Sequence, residues 1–280
     1  MIPNNIHARS ALFTPADKIS LLHKALKTQA DRFIFDLEDA VHPSRRELAR
    51  ENLRQFIPEQ DEEREIAVRV NPRTSSDFSE DLTAAVDAKA DAVVLPMVEC
   101  AEDVHEAWNA LSTDAKRPPK LRVLIETPTG MHSGQDIANS FSDTDVVSLG
   151  FGFADYCKAI QSPGTPDLVR QRLELLTAEL AAIGGVNAIS SVHLDIGDKN
   201  GLREVANRAR SIGFTGMTAI HPDQIEVINK AFTPSEEEIN LAKRLVEAFD
   251  ATDRDSLEVE GIFLDTATVD RYRALIDRLK

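Results

Sequence analysis

The sequence predicts an α/β protein in which eight parallel strands close into a (β/α)8 TIM barrel, with a C-terminal helical extension. Short β-rich runs alternate with amphipathic segments along most of the chain. Several runs are continuously apolar, as is typical of parallel strands buried on both faces. The 280 residues slightly exceed the roughly 250 of a typical barrel of this kind. An open doubly wound sheet stays an alternative, because the sequence shows strand number but not closure.

The predicted strands follow one another from residue 10 to residue 221. They are Ser10–Thr14, Phe33–Leu37, Ile66–Asn71, Ala92–Val98, Leu121–Thr127, Val146–Phe151, Ala188–His193 and Gly216–His221. Apolar residues at helical spacing lie between them, for example Ile19, Leu22 and Leu26. Such a stripe marks the face of a helix that packs on a core. Strict alternation of strand and helix implies a parallel sheet.

The pattern changes after the eighth run. The segment Thr233-Pro-Ser-Glu predicts a capping box at the start of a helix. Pro234 would be the first helical residue, and the Glu236 side chain would reach back to the N-cap residue. A strand-like run, Val259–Leu264, and a last amphipathic helix follow. We therefore divide the chain into a barrel catalytic domain, residues 1–232, and a C-terminal helical arm, residues 233–280.

Composition excludes some classes of partner. The formal charge is −15, from 32 Lys and Arg against 47 Asp and Glu, so we expect neither a nucleic acid nor a membrane as partner. Cys100 and Cys157 have no paired spacing and indicate reduced thiols. The N-terminal residues lack the basic-then-apolar order of a signal peptide. We expect a cytoplasmic protein.

Carboxylates follow several of the predicted strands. In a barrel, catalytic groups lie at the carboxyl ends of the strands. Glu126 and Asp155 each terminate a strongly apolar run, and Arg69 lies in the third run. Mg²⁺ prefers one or two carboxylates and keeps other positions for water and substrate oxygens. The pattern therefore predicts a Mg²⁺ site at Glu126 and Asp155, although helix capping or ion pairing would also explain these acids.

Other familiar site patterns are missing from the sequence. No histidine or cysteine spacing typical of zinc occurs. There is no Gly-x-Ser-x-Gly elbow for a serine nucleophile, and neither a Gly-x-Gly-x-x-Gly segment nor a P-loop for a nucleotide. Redox and phosphoryl-transfer chemistry with a nucleotide cofactor is therefore not expected.

Seven segments resemble, in the same order, those of the citrate lyase beta subunit family within the HpcH/HpaI aldolase group, which includes malyl-CoA and citramalyl-CoA lyases. The resemblance covers residues 9 to about 250. The segments are Arg9-Ser-Ala-Leu-Phe, Phe35-Asp-Leu-Glu-Asp-Ala-Val, Val68-Arg-Val-Asn-Pro, Val94-Leu-Pro-Met-Val-Glu, Leu124-Ile-Glu-Thr-Pro-x-Gly, Phe151-Gly-x-x-Asp and Ala219-Ile-His-Pro-Asp-Gln.

The resemblance assigns roles to particular residues. Glu126 and Asp155 match the two metal ligands of the family. Arg69 matches its substrate-binding and catalytic arginine, which neutralises a carboxylate or the developing enolate oxygen. The alternative for Arg69 is a structural ion pair with Asp36 or Glu38 across the barrel mouth. Glu38 and Asp39 match acidic residues that hold metal-bound water. The implied cofactor is Mg²⁺, and no organic redox cofactor is implied.

The C-terminal segment resembles the family more loosely. Asp265-x-x-x-Val-Asp270 is similar to the Asp-Gly-x-x-Val-Asp of the family, whose final aspartate acts as acid/base from a neighbouring subunit. Thr266 replaces the glycine, so a plain helix-start aspartate is a real alternative for Asp270. The resemblance implies a homotrimer in which Asp270, on a loop that reaches outward, completes the site of a neighbour.

The implied reaction is reversible cleavage of a 3-hydroxy-carboxyacyl thioester, such as citryl-, malyl- or citramalyl-CoA, to a 2-oxo acid and an acyl thioester. Three alternatives stay open. The chain could be a 2-oxo-acid aldolase that needs no thioester, or the beta subunit of a citrate lyase complex that uses an acyl carrier protein. It could also be a non-catalytic barrel protein.

Overall fold

The computed structural model describes residues 8–60, 62–113, 117–164 and 166–277. Two compact units are present in it. Ala8–Phe232 forms the first unit, and the chain from Thr233 onward belongs to the second.

The first unit is a closed barrel of eight parallel strands in chain order. The eighth strand pairs with the first, Ser10 lying opposite Met217. The strands are β1 (Ser10–Pro15), β2 (Arg32–Asp36), β3 (Glu65–Arg69), β4 (Ala92–Leu95), β5 (Lys120–Ile125), β6 (Val146–Phe151), β7 (Asn187–Ser190) and β8 (Gly216–Ala219). The predicted barrel is confirmed, and the open sheet is excluded by the β1–β8 pairing.

Helices connect successive strands around the outside of the barrel. They are α1 (Ile19–Leu26), α2 (Arg46–Phe56), α3 (Phe78–Asp87), α4 (Ala101–Ser112), α5 (Pro128–His132), α6 (Gly134–Asn139), α7 (Phe153–Ala159), α8 (Asp167–Ile183), α9 (Lys199–Ile212) and α10 (Ile225–Phe232). Every predicted strand exists, but six of the eight end earlier than predicted. The residues after those ends, such as Glu126 and Asn71, leave the strand ladder and carry polar side chains at the barrel mouth.

Two apolar clusters hold the barrel together. The larger one lies between strands and helices and includes Phe33, Phe35 and Leu149, which are fully buried. The smaller one consists of Ala11, Ile34, Ala67, Ala92 and Val94. Because successive strand side chains point to opposite faces, the strands β1 to β4 supply residues to both clusters. Burial on two faces explains the continuously apolar runs in the sequence.

Polar residues flank the smaller cluster at both ends of the same strands. On β2, Arg32 and Asp36 lie two residues either side of Ile34 and therefore share its face. On β3, Glu65 and Arg69 lie two residues either side of Ala67. Register pairs Arg32 with Glu65 and Asp36 with Arg69. Opposite charges thus lie side by side at both ends of the interior.

The amino ends of the strands carry a buried ion cluster. The Arg122 Nε donates to Glu65 Oε1 at 2.8 Å, and its Nη1 donates to Ser148 Oγ at 2.8 Å. The Arg32 Nε lies 2.7 Å from Glu65 Oε1. The two atoms form an ion pair, but their angle does not meet the geometry of a hydrogen bond. Burial, followed by the charge of Arg122, lowers the pKa of Arg32 to about 9. Burial alone would raise the pKa of Glu65, but the charges of Arg122 and Arg32 hold it below its ordinary value.

The second unit contains two helices and a hairpin: α11 (Glu236–Asp250), β9 (Ser256–Val259), β10 (Ile262–Asp265) and α12 (Thr266–Asp277). Its small core includes Leu245, Leu264 and Val269. The prediction of one strand-like run was incomplete, because this segment is an antiparallel hairpin. Glu260 and Gly261 have φ values of 51° and 79° at its turn, as a two-residue type I′ hairpin requires.

The start of α11 also differs from the prediction. Ser235, not Thr233, is the N-cap residue, and its Oγ accepts a hydrogen bond from Glu238 N at 3.1 Å. In return, Glu238 Oε2 accepts from Ser235 N at 2.7 Å. The capping box is real but lies two residues later, because Pro234 precedes the cap instead of following it.

None of the helices in the described ranges combines the length and the apolar composition that a membrane-spanning segment needs.

We predict that Glu65→Gln destabilises the barrel by roughly 3 kcal/mol at neutral pH, because it leaves Arg32 and Arg122 buried without a counter-charge. The low folded-state pKa of Glu65 means that its stabilisation is present above the ordinary glutamate pKa and is lost as pH falls through the folded value. The difference between wild type and variant, measured by urea unfolding, should therefore shrink as the solution is acidified below pH 5.

Glu260→Gln is the matched control, since it removes a glutamate from a two-bond pair with Arg244 that is exposed to solvent. Exposed pairs contribute little, so the variant should unfold like wild type. Equal unfolding curves for Glu65→Gln and Glu260→Gln would contradict a stabilising role for the buried cluster.

Candidate active site at the carboxyl end of the barrel

A cavity of about 370 Å³ lies at the carboxyl ends of the strands. Its lining comes from the ends of seven of the eight strands and the loops that follow them. The lining residues are Phe13, Asp36, Asp39, Ala40, Arg69, Leu124, Glu126, Phe151, Gly152, Phe153, Ala154, Asp155, Ile189, Ser190, Ser191, Val192, Leu194, Thr218 and Ile220. This is the end of a barrel at which active sites lie. The structure brings four of the six predicted site residues into this lining: Asp39, Arg69, Glu126 and Asp155.

Arg69 is the one cation among the described lining residues of the cavity. Its Nε and Nη2 donate to the two carboxylate oxygens of Asp36 at 2.7 and 2.6 Å. Its guanidinium carbon lies 4.7 Å from the centre of the Phe13 ring. Burial alone would lower the pKa of Arg69, but Asp36 and the other nearby carboxylates raise it far above the ordinary arginine value. Arg69 is therefore a permanent, firmly oriented positive charge.

Glu38 and Asp39 follow β2 and approach the same guanidinium. The Glu38 Oε2 lies 3.0 Å from Arg69 Nη1, and Asp39 Oδ2 lies 3.8 Å from it. Glu38 is buried, whereas Asp39 is exposed. Burial raises the pKa of Glu38 to about 8, although Arg69 acts in the opposite direction. Glu38 contacts Arg69 from beside the cavity.

Glu126 is buried at the centre of the site. Its Oε2 accepts a hydrogen bond from Met97 N at 2.9 Å, and Met97 has a left-handed backbone with φ of 54°. Its Oε1 lies so close to Gly152 that a Cβ built there would be 2.0 Å away. Burial raises the pKa of Glu126 to about 7, with Arg69 acting against it and Asp155 adding to it. The glycine makes room for this carboxylate.

Asp155 lies in the first turn of α7, on the loop that follows β6. It is half-buried and lines the cavity. The start of this helix is held to β7, because Phe153 N donates to Ser191 Oγ at 3.2 Å. Asp155 and Glu126 thus reach one cavity from neighbouring strands.

The charged groups of the cavity suit a hard divalent cation. Four carboxylates and one guanidinium line the cavity among the residues described, so negative charge exceeds positive charge. No three His, Cys, Asp or Glu side chains in the described ranges surround a point where a metal could sit. Mg²⁺ suits such a site, because it takes one or two carboxylates and completes its shell with water and substrate oxygens. The residues fit this ion.

Sequence reasoning missed two residues that shape the site. Met97 and Gly152 contact Glu126 directly. The ion pairing of Arg69 with Asp36 and Glu38, which the sequence offered as an alternative to a catalytic role, is present in the structure. The contacts of Met97 and Gly152 depend on the neighbouring strand, so no local pattern indicates them.

A buried network behind the site was also missed. Asn71 Nδ2 donates to Leu37 O at 2.9 Å and to Asp81 Oδ2 at 2.7 Å. Arg50 Nε in turn donates to Asp81 Oδ1 at 2.8 Å. These bonds join the carboxyl ends of β2 and β3, the strands that carry Asp36 and Arg69, to helices α2 and α3. They keep the two strand ends in register.

Asp270 lies in the second unit, and the expectation that it occupies a loop was wrong. It is part of α12, because Asp265 Oδ1 accepts from Thr268 N at 2.7 Å and starts the helix directly after β10. The neighbouring Val269 faces the small core, so Asp270 faces away from that core and is exposed. Its Oδ1 accepts from Arg273 Nη1 at 2.9 Å.

Comparisons with known proteins agree on one family. The profile described as HpcH/HpaI aldolase/citrate lyase matches residues 9–222. A (3S)-malyl-CoA thioesterase of Cereibacter sphaeroides is 37% identical over 248 residues, 88% of this chain and 84% of that protein. The CitE protein of Mycobacterium tuberculosis in complex with magnesium, acetoacetate and coenzyme A has a TM-score of 0.81 at 29% identity, covering 98% of both chains.

A second structure is also similar. The citrate lyase beta subunit of M. tuberculosis complexed with oxaloacetate and magnesium has a TM-score of 0.71 at 32% identity and covers 82% of this chain and 100% of that chain.

We predict that Gly152→Ala displaces the Glu126 carboxylate, because the new methyl group would overlap Glu126 Oε1. Overpacking of this kind costs about 1–3 kcal/mol, and the affinity for Mg²⁺ should fall at the same time. Calorimetric titration with Mg²⁺ and thermal unfolding measure the two effects. Gly164→Ala is the control, since nothing lies within 4 Å of its added methyl group. Wild-type Mg²⁺ affinity in Gly152→Ala would contradict the close approach.

Proposed function

Because the chain belongs to the HpcH/HpaI aldolase/citrate lyase family, we propose that it is a Mg²⁺-dependent carbon–carbon lyase of the cytoplasm. Its substrate is a 3-hydroxy-carboxyacyl thioester such as citryl-, malyl- or citramalyl-CoA, and its products are a 2-oxo acid and an acyl thioester. One observation carries this proposal: Glu126 and Asp155 share a cavity with Arg69 in which negative charge is in excess. Two similar structures, which contain magnesium with oxaloacetate or with coenzyme A, support it.

Glu126 and Asp155 are the residues that would hold Mg²⁺. Both line the cavity, and burial has already made the charged form of Glu126 unfavourable in the absence of a cation. When bound, the ion supplies a positive charge that polarises the hydroxyl and carboxylate oxygens of the substrate. Glu38 and Asp39, beside Arg69, would accept hydrogen bonds from water at that ion.

Arg69 would stabilise the negative charge that develops when the carbon–carbon bond breaks. The hydroxyl group loses its proton, and its carbon becomes the carbonyl of the 2-oxo acid as the carbon–carbon bond breaks. The electron pair of that bond passes to the α-carbon of the thioester, which becomes an enolate. The proton that this carbon then gains balances the one that the hydroxyl lost. A fixed guanidinium stabilises a developing negative charge more strongly in a site shielded from water than in bulk solvent. The bonds of Arg69 to Asp36 orient it before the substrate arrives.

Asp270 is the proposed acid that protonates the enolate, acting on the site of a neighbouring subunit in a homotrimer. Its side chain is 59% exposed and faces away from the core of its unit, so it is available to a second chain. Its bond to Arg273 would have to break or be shared during the reaction.

A panel of substrates tests the proposed function. Purified protein with Mg²⁺ is incubated with citryl-CoA, malyl-CoA, citramalyl-CoA, the free hydroxy acids and a citryl thioester on an acyl carrier protein. We expect release of a 2-oxo acid together with an acyl thioester from at least one CoA compound. Activity on the free acids alone would favour a thioester-independent aldolase, and activity on the carrier thioester alone a citrate lyase beta subunit. Thiol release without any 2-oxo acid would contradict the lyase proposal.

We predict that Glu126→Gln and Asp155→Asn weaken Mg²⁺ binding at least about tenfold and abolish turnover, because each removes a negatively charged oxygen ligand. Calorimetry measures the affinity. Asp136→Asn is the matched control. Asp136, like Asp155, lies in the first turn of a short helix, α6, but it is exposed and outside the cavity lining, so the variant should leave both properties unchanged. A variant at position 126 or 155 that binds Mg²⁺ like wild type would remove that residue from the metal site.

We predict that subunits carrying Asp270→Ala and subunits carrying Glu126→Gln are inactive alone and regain partial activity when they are mixed and reassembled. A mixed trimer contains sites with an intact Glu126 on one chain and an intact Asp270 on the next. Turnover after joint refolding, with the mixing checked by native mass spectrometry, is the measurement. Mixed trimers without activity would place Asp270 in the site of its own chain, and a fully active Asp270→Ala protein would remove it from catalysis.

A further inference from the structure

One wall of the cavity is formed by a segment without regular secondary structure. The Ser191–His193 segment follows β7 directly. Ser191 and Val192 line the cavity, as does Phe153 at the start of α7. Because a segment of this kind has no strand or helix bonds of its own, other groups must satisfy its carbonyls and fix its path.

Two buried side chains from outside the cavity bond to every carbonyl of this segment. Arg170, on α8, donates from Nη1 to Ser191 O at 3.3 Å and from Nη2 to Val192 O. Gln224 Nε2 donates to His193 O at 2.8 Å, while its Oε1 accepts from Ile220 N at 3.0 Å. Arg170 is 3% exposed and Gln224 is 1% exposed.

Arg170 also contacts the loop that carries Asp155. Its guanidinium carbon lies 4.4 Å from the centre of the Phe153 ring and 6.0 Å from that of Phe151. An arginine stacked on aromatic faces is held in one orientation, since its planar fork loses little freedom on bonding. One guanidinium thus contacts residues that follow two neighbouring strands, β6 and β7.

The charge of Arg170 is balanced on the side away from the cavity. Glu174, which is fully buried, lies 3.8 Å from Arg170 Nη1 and accepts from Arg208 Nε at 2.9 Å. Burial lowers the pKa of Arg170 to about 10, so the guanidinium is still charged at neutral pH. Arg170 and Arg208 thus share the balancing of Glu174, and removing either one leaves this buried carboxylate with a single arginine.

We propose that Arg170 is a positioning residue, which holds the Ser191–His193 segment and the Phe153 ring as one rigid wall of the cavity and thereby sets the affinity for the substrate. It contacts neither Glu126 nor Arg69 among its described partners. Its influence on the reaction therefore passes through the wall. Gln224 supports the same segment from the β8 side.

The role of a wall differs from the role of a group that touches the reacting atoms. Wall contacts are made equally in the ground state and in the transition state, so loosening them raises KM while kcat changes little. A residue needed only for folding would lower the amount of active protein and leave the KM of the folded fraction unchanged. A raised KM therefore indicates a positioning role, and a lower amount of active protein with an unchanged KM indicates a role in folding alone.

The test compares Arg170→Met with Arg208→Met. Both remove a guanidinium from Glu174, but Arg208 contacts no residue of the cavity wall in its described bonds, which go to Glu174 and Asp167. Two properties are measured on the folded protein. The first is amide hydrogen exchange of the peptide that spans residues 188–198, and the second is KM and kcat for the best CoA thioester of the panel.

We expect faster exchange of the Ser191–His193 segment and a KM raised at least about tenfold in Arg170→Met, with kcat within about threefold of wild type. Arg208→Met should leave both properties at wild-type values. Arg170→Lys keeps the positive charge beside Glu174 but cannot donate to two carbonyls while it stacks on an aromatic ring. It should change the exchange rate and KM in the same direction by a smaller amount. If Arg170→Met does not fold, Arg170→Lys is the variant that decides the test.

The kinetic half of this test rests on the proposed function, and the exchange half does not. If the wild-type protein had no lyase activity, only the proposed function would be contradicted. The exchange rates would still test whether Arg170 holds the Ser191–His193 segment. Unchanged exchange in both Arg170 variants would overturn the positioning role. Faster exchange with a KM equal to that of Arg208→Met would overturn the link between the wall and substrate affinity.

Discussion

The crowding of carboxylates around a single guanidinium governs the chemistry at the mouth of the barrel. Removing an ionised carboxylate from water is unfavourable unless a counter-charge or a proton compensates it. Arg69 compensates Asp36 fully and Glu38 in part. Burial accordingly raises the pKa of Glu126 to about 7 and that of Glu38 to about 8. A divalent cation bound by these carboxylates would displace those protons, so its affinity would fall as the pH is lowered.

This crowding follows from the alternation of side chains along each strand of the barrel. Alternation of side chains places Arg32 and Asp36 on the inner face of β2, with the apolar layer between them. The amino end is closed by an ion cluster in which arginines outnumber glutamate. The carboxyl end has the opposite excess. A rigid interior with fixed charges at both ends keeps the reactive groups in place without a substrate, as preorganised catalysis requires.

The fold was largely predictable from the sequence because it depends on periodicity and strand number, which are local patterns. The strand-end acids Glu126 and Asp155 were found for the same reason, since their positions follow from barrel geometry. Apart from the ion pair of Arg69 with Asp36, contacts between distant parts of the chain were not predictable. The approach of Gly152 to Glu126 and the bonds of Arg170 to the segment after β7 depend on how distant parts of the chain pack. The place of Asp270 within α12 was missed because Asp265, and not Asp270, starts that helix.

Thermal unfolding in the presence of Mg²⁺ tests most directly whether the carboxylates form a cation site. A ligand that binds only the folded state raises the unfolding midpoint with its concentration. Wild-type protein should show a midpoint that rises steadily with Mg²⁺ at constant ionic strength, and Glu126→Gln should show a much smaller rise. The same rise in both proteins, or no rise in either, would contradict a cation site at these carboxylates, because they would then be compensated by protons and Arg69 alone.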